Sequence, residues 1–205
     1  MNIILGNISI IVLLLLAMFF PSFSQAQLPA SDSMPHFRIG LELGGGYGFK
    51  LSSTNTLPGN YSSGGFNTNI RLKWGSHNSF GAGLETGWLP ISSLSSSNTS
   101  TEFGTTNIEA SLNAVPLLFV LALQRFNVQI HGGVGYYNVR AKATVFESTI
   151  ESSEWDFGYI LAIGYVYPIS PAYKLGAEIK WNNISEVQIS MLSTQVRLLI
   201  NLWQW

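Results

Sequence analysis

Phe66-Asn67-Thr68-Asn69-Ile70-Arg71-Leu72-Lys73-Trp74 places Phe, Thr, Ile, Leu and Trp on one face of an extended chain and Asn, Asn, Arg and Lys on the other. A period of two is the signature of a β-strand with unlike faces. Segments of this kind recur to the end of the 205-residue chain. If the apolar set faced a protein core, the chain would be a soluble sandwich. If it faces lipid and the polar set faces a lumen, the chain is a transmembrane β-barrel.

Composition favours lipid. Charged residues make up 10% of the chain and aromatics 13%, with a net charge of −1. An average soluble domain carries about 25% charged residues. The near-neutral balance gives no electrostatic case for nucleic acid. There is no Cys, so neither a disulfide framework nor a thiol nucleophile is available. Ile8 to Phe20 is apolar apart from Ser9, and Ser24-Gln25-Ala26-Gln27 follows. That order reads as a secretory signal peptide over 1–26 cleaved after Ala26, leaving 27–205 as one barrel domain. The n-region Met1 to Asn7 lacks Lys and Arg, and a retained anchor is the competing reading. However, the run is short of the ~20 residues that a spanning helix requires.

Eight strands are expected: His36–Leu51, Gly65–Trp74, Ser79–Leu89, Asn107–Leu123, Phe126–Val139, Trp155–Ile169, Tyr173–Trp181 and Leu192–Trp205. Each approaches or exceeds the ~9–11 residues needed to cross a bilayer at a tilt. The intervening links alternate in length. Ser52–Gly64, Pro90–Thr106 and Arg140–Glu154 are long, and Asn182–Met191 is intermediate. Gly75–Asn78, Gln124-Arg125 and Ser170-Pro171-Ala172 are short. Outer-membrane barrels sort extracellular loops from periplasmic turns in this way, whereas a sandwich has no reason to. The expected architecture is therefore an all-β, eight-stranded, antiparallel up-and-down transmembrane barrel with both termini in the periplasm. Two places break the rhythm. The apolar phase flips near Ala114–Pro116, where a β-bulge is expected. Trp203 and Trp205 fall on the face of Arg197 and Asn201.

With the apolar faces outward, the lumen receives Arg38, Glu42, Arg71, Lys73, Glu85, His131, Asp156, Lys174, Glu178, Lys180 and Arg197. Eight strands leave an interior that side chains just fill. These groups are therefore expected to pair into a charged plug rather than line a porin-like channel. Trp74, Trp88, Trp155, Tyr167, Tyr173, Trp181, Trp203 and Trp205 lie near strand ends, as interfacial girdles do. Among enzymatic readings, His77-Asn78-Ser79 has the His-x-Ser form used by lipid A deacylases but falls in a short turn. His131 has no Ser or Cys beside it. No metal-ligand cluster, phosphate loop or cofactor motif is evident, so no cofactor is expected. The expected role is structural or in surface interaction, through an extracellular partner at loops 52–64, 90–106 and 140–154. A lipid-modifying enzyme, or an accessory of a secretion or adhesion assembly, is the alternative.

Val115-Pro116-Leu117-Leu118, Gly132-Gly133-Val134-Gly135-Tyr136 and Phe157-Gly158-Tyr159 to Ile163-Gly164-Tyr165 resemble the "(I/V)PLL … GxGxY … GxGxxY" run of Bacteroidota outer-membrane β-barrel proteins. These are small barrels similar to the OmpA and OmpX group or to the PorT proteins. The resemblance covers most of the mature chain. It implies an outer-membrane location, contact with lipopolysaccharide, and insertion by the barrel-assembly machinery, whose terminal aromatic signal Trp205 resembles.

Overall fold

A computed structural model describes residues 37–51, 60–76, 80–101, 104–145 and 148–204. The expected signal peptide, the His77-Asn78-Ser79 triplet, Trp205 and most of the 52–64 link lie outside these residues. The strands are β1 (Phe37–Lys50), β2 (Asn60–Ser62), β3 (Gly64–Ser76), β4 (Phe80–Thr101), β5 (Gly104–Arg125), β6 (Val128–Val145), β7 (Ser148–Pro168), β8 (Tyr173–Ile184) and β9 (Ile189–Gln204). β2 is a three-residue strand paired to β4, separated from β3 by Ser63. The other eight pair antiparallel, each with its neighbours in sequence, and β1 pairs with β9 to close the ring. The result is an eight-stranded antiparallel barrel with no sheet edge left unpaired around its wall. Such closure satisfies backbone polar groups where no water can.

The outward faces are apolar. Along β7 they read Trp155, Phe157, Tyr159, Leu161, Ile163, Tyr165 and Tyr167, while Asp156, Gly158, Ile160, Ala162, Gly164 and Val166 are buried. At ~3.3 Å per residue, Trp155 to Tyr167 covers about 40 Å of strand. At a tilt of ~45° that is about 28 Å of membrane normal, enough for the hydrocarbon layer and its margins. Tyr136–Phe157 and Tyr159–Trp181 meet edge-to-face at 5.9 and 5.5 Å. Trp88, Trp155, Tyr167, Tyr173 and Trp203 are all exposed on the outside.

Both anomalies in the rhythm have structural answers, and neither is a bulge in β5. That strand pairs with β6 without a break from Ile108↔Val145 to Arg125↔Val128. The bulge lies on its other partner, β4. There the register steps from Pro90↔Asn113 to Ser92↔Leu112, leaving Ile91 as the extra residue. Even-numbered β5 residues face inward throughout. The outer face turns polar at Glu109, Ser111 and Asn113 because the strand has passed beyond the apolar belt, where outward side chains meet water. At the end of β9 the register steps from Gly40↔Asn201 to Ile39↔Trp203, so Leu202 is bulged and Trp203 returns to the outer face. An extra residue resets the alternation.

The long links are the larger correction. Most of 90–106 and 140–154 is paired strand: β4–β5 continue to Thr101↔Gly104 and β6–β7 to Val145↔Ser148. Because β5 and β6 also stay paired out to Ile108↔Val145, these two hairpins, the distal ribbons, rise side by side as one sheet from the distal end of the barrel, opposite Phe37 and Gln204. Ser- and Thr-rich sequence reads as loop by composition, yet Thr is a good strand former once a partner strand aligns with it. The Asn182–Met191 link shrinks to Ser185–Gln188. The short turn at 124–125 moves to Phe126-Asn127, where Phe126 takes φ 55° and is largely exposed.

Inward glycines allow the narrow bore. A Cβ on Gly46 would lie 1.9 Å from the Thr194 carbonyl oxygen and 2.6 Å from the Gln195 Cα, both backbone atoms that cannot step aside. On Gly132 the nearest atom would be the Leu161 Cδ2 at 3.8 Å. Gly46→Ala is expected to cost about 1–3 kcal/mol, read as a lower urea midpoint for the folded barrel in detergent micelles. Gly132→Ala should leave that midpoint nearly unchanged.

Candidate functional site

The lumen has two layers. Toward the terminal end, Glu42 (β1), Arg71 (β3) and Glu85 (β4) lie side by side across the sheet. Alternation aims all three inward, where other strands meet them. The Arg71 guanidinium contacts Glu42 at 2.8 Å, Glu85 at 2.5 Å and Glu178 at 3.5 Å, and its side chain is fully buried. Lys180 reaches across the bore from β8 to Glu85 at 2.5 Å, and Lys73 pairs with Glu42 at 2.9 Å. Arg197 on β9 pairs with both Glu42 and Glu178. His131 on β6 sets its Nδ1 3.1 Å from Glu178 and is fully buried. Four basic side chains, from Lys and Arg, therefore face three carboxylates, and with His131 the network ties six of the eight barrel strands to one another through the middle.

The distal layer is apolar, which alternation alone did not suggest. Leu89, Ile91, Ala114, Leu118, Val120, Tyr137, Val139, Ile160, Ile184, Ile189 and Met191 form one buried cluster. Around it Gln195 donates to Asn67 at 2.8 Å. The ribbons continue this inner apolar lining beyond the barrel. Leu94, Ala110, Leu112, Ala143 and Ile150 border a concave space of about 330 Å³ between them.

Three residues assigned to the charge network lie apart from it. Arg38 donates to Asn201 at 3.2 Å near the terminal mouth. There it borders a cavity of about 50 Å³ with Lys73 and Lys174, and Lys174 makes no ion pair among the described residues. Asp156 sits at the distal rim instead. Its carboxylate, 1% exposed, has no hydrogen-bond donor on either oxygen among the described residues. Beside it are Glu154 from the β7 ribbon and Glu186 from the β8–β9 turn, with ligating oxygens of all three within 4.8 Å of one another. The neighbouring Asp156 carboxylate raises the exposed Glu186 carboxyl above its ordinary range, with Glu154 adding to the effect. Sequence could not reveal this grouping, because 30 residues and a strand separate Asp156 from Glu186.

The sequence profile of the outer membrane protein beta-barrel domain matches residues 11–197. The chain belongs to that family. Membership places this outer-membrane barrel in a Gram-negative envelope. Two solved structures share its fold. Ail, the attachment invasion locus protein of Yersinia pestis, solved with the heparin analogue sucrose octasulfate, aligns with TM-score 0.51 at 9% identity, covering 83% of this chain and 98% of Ail. Neisserial surface protein A aligns with TM-score 0.50 at 13% identity, covering 79% and 96%. At such identities the likeness shows the fold alone. A search of curated proteins returned no match.

In this outer-membrane barrel Arg71 is the hub of the interior. Removing one partner of a buried pair strands the other's charge at a cost of about 3–5 kcal/mol. Arg71→Met should therefore cost about that much, seen as a lower urea midpoint and loss of the fast-migrating folded band at lower temperature. Lys142→Met, which breaks an exposed pair with Glu151, should change stability by under about 1 kcal/mol.

Proposed function

We propose that this protein is a surface-interaction barrel whose working parts are the two distal ribbons, with both termini in the periplasm. The carrying observation is their form. β4–β5 and β6–β7, joined through the β5–β6 ladder, remain paired well past the apolar belt as one sheet, polar on its outer face and apolar on its inner face. A barrel serving only as a membrane plug gains nothing from exposing Ile150, which is 73% accessible. Sealed ion pairs and a packed apolar layer fill the bore and favour a binding role over conduction. Ail, which shares the fold, is named for attachment and invasion. Kinship with the small OmpA/OmpX-like or PorT-like barrels of Bacteroidota rests on the PLL and GxGxY runs. Lipopolysaccharide around the belt and the insertion machinery are the partners this reading implies.

Ile150→Glu tests the reading, because Ile150 is exposed and contributes little to folding. Bacteria displaying the variant should adhere to matrix-coated surfaces or to one another severalfold less than those displaying the original protein. The urea midpoint should move by no more than about 0.5 kcal/mol. Unchanged adherence on deleting the whole gene would overturn the role. The enzymatic alternative makes a separate demand: lipid A masses that change with the gene would establish it in place of this reading.

A further inference from the structure

Glu154, Asp156 and Glu186 are brought together by three features of the fold. Glu154 and Asp156 share the inward face of β7 at the height where the ribbon leaves the barrel wall. Glu186 belongs to a different hairpin. The Ser185–Gln188 turn folds back onto β7, its Ser185 N–H donating to the Phe157 carbonyl at 2.9 Å. That backbone bond holds Glu186 against the other two carboxylates. No Lys, Arg or His pairs with any of the three among the described residues, although the lumen network shows cations being used wherever carboxylates are buried. Asp156 differs from a solvated surface acid: it is 1% exposed, both of its oxygens lack a donor, and it points into the group. A buried ionised carboxylate without a partner is costly, so this arrangement calls for something positive.

We propose that Glu154, Asp156 and Glu186 form a binding site for a hard divalent cation, calcium by its ligand chemistry. All three ligands are oxygen and anionic, with no nitrogen or sulfur, which selects the hard cations over zinc or copper. Oxygens within 4.8 Å of one another lie within a few tenths of an ångström of the spacing that a central ion at calcium's typical 2.3–2.6 Å requires. Glu154 and Glu186 are exposed, so water completes the shell. Magnesium, which dehydrates reluctantly and takes one or two carboxylates, suits three converging ones less well. The bound ion would clamp the β8–β9 turn to the β6–β7 ribbon, stiffening the distal rim from which the ribbons rise. The site does not depend on what the ribbons bind.

The test uses the full protein purified from membranes in detergent, stripped with chelator and titrated with calcium chloride alone by calorimetry at neutral pH. One saturable site is expected, with a dissociation constant of about 0.1–1 mM as in extracellular calcium modules, together with a rise in unfolding temperature. Glu186→Gln, an exposed turn substitution that keeps the fold, should weaken binding at least tenfold. Asp156→Asn should abolish it. Absence of saturable binding up to about 10 mM would overturn the site. Undiminished binding in Glu186→Gln would also overturn it.

Discussion

The structure depends on one constraint: a lumen bounded by eight strands is too narrow to be a water-filled pore and too polar to be an ordinary core. Outward positions are committed to lipid, so whatever faces inward must be both packed and neutralised. Arg71 meets the two requirements together. Its planar fork is shared among Glu42, Glu85 and Glu178, and its side chain is fully buried. Arg suits this position better than Lys because one guanidinium presents five donors in fixed directions. The Lys180–Glu85 and Arg71–Glu178 pairs cross the bore and join strands far apart around the ring, while Arg197 ties β9 to its neighbours β1 and β8. The wall is already continuous through backbone bonds, and the interior ties hold its cross-section.

Charge pairing fills only part of the bore. Distal to it, side chains from β4 to β9 pack as an apolar cluster, and the same inner lining continues into the ribbons. The membrane protein therefore inverts its own pattern along its length. Within the bilayer the outside is apolar, and the inside holds the charge network beside the first members of the apolar cluster, Leu118, Val120 and Ile160. Beyond it the outside is polar and the inside apolar, as in a soluble sheet. The switch takes place on continuous strands and needs no break in the β5–β6 ladder. Solvent, rather than backbone geometry, decides which face carries which residues.

That inversion explains what could be read from sequence and what could not. Strand number, antiparallel order and closure were legible because alternation over Phe66–Trp74 or Trp155–Tyr167 has a single geometric meaning. The inward direction of Glu42, Arg71, Glu85, Glu178, Lys180 and Arg197 followed from the same parity. Their partners did not, because Lys180 and Glu85 lie 95 residues apart and meet only through barrel curvature. The flip near Pro116 invited a bulge because a change of apolar face was equated with a change of side-chain direction. In fact the direction was constant and the surroundings changed. The real register steps, at Ile91, between Ser96 and Thr99, and at Leu202, left weaker traces. Only at Trp203, where a large aromatic fell on the wrong face, did sequence register one.

The ribbons show how a barrel wall can support structure beyond the membrane. An isolated two-stranded ribbon is marginal in water, and Ser-, Thr- and Asn-rich strands such as the upper part of β4 add little packing of their own. Here each ribbon grows from a ladder already fixed in the wall, so its register is inherited and its first pairs form without the entropy of closing a new loop. Their inner faces then bury Leu112 against the apolar layer below. A rigid barrel thus serves as the foundation for a projection that its own sequence could not hold upright. The closer a ribbon residue lies to the wall, the more its side chain is committed to stability. Toward the tips that commitment falls away, and the exposed Ile150 stands on that side of the division.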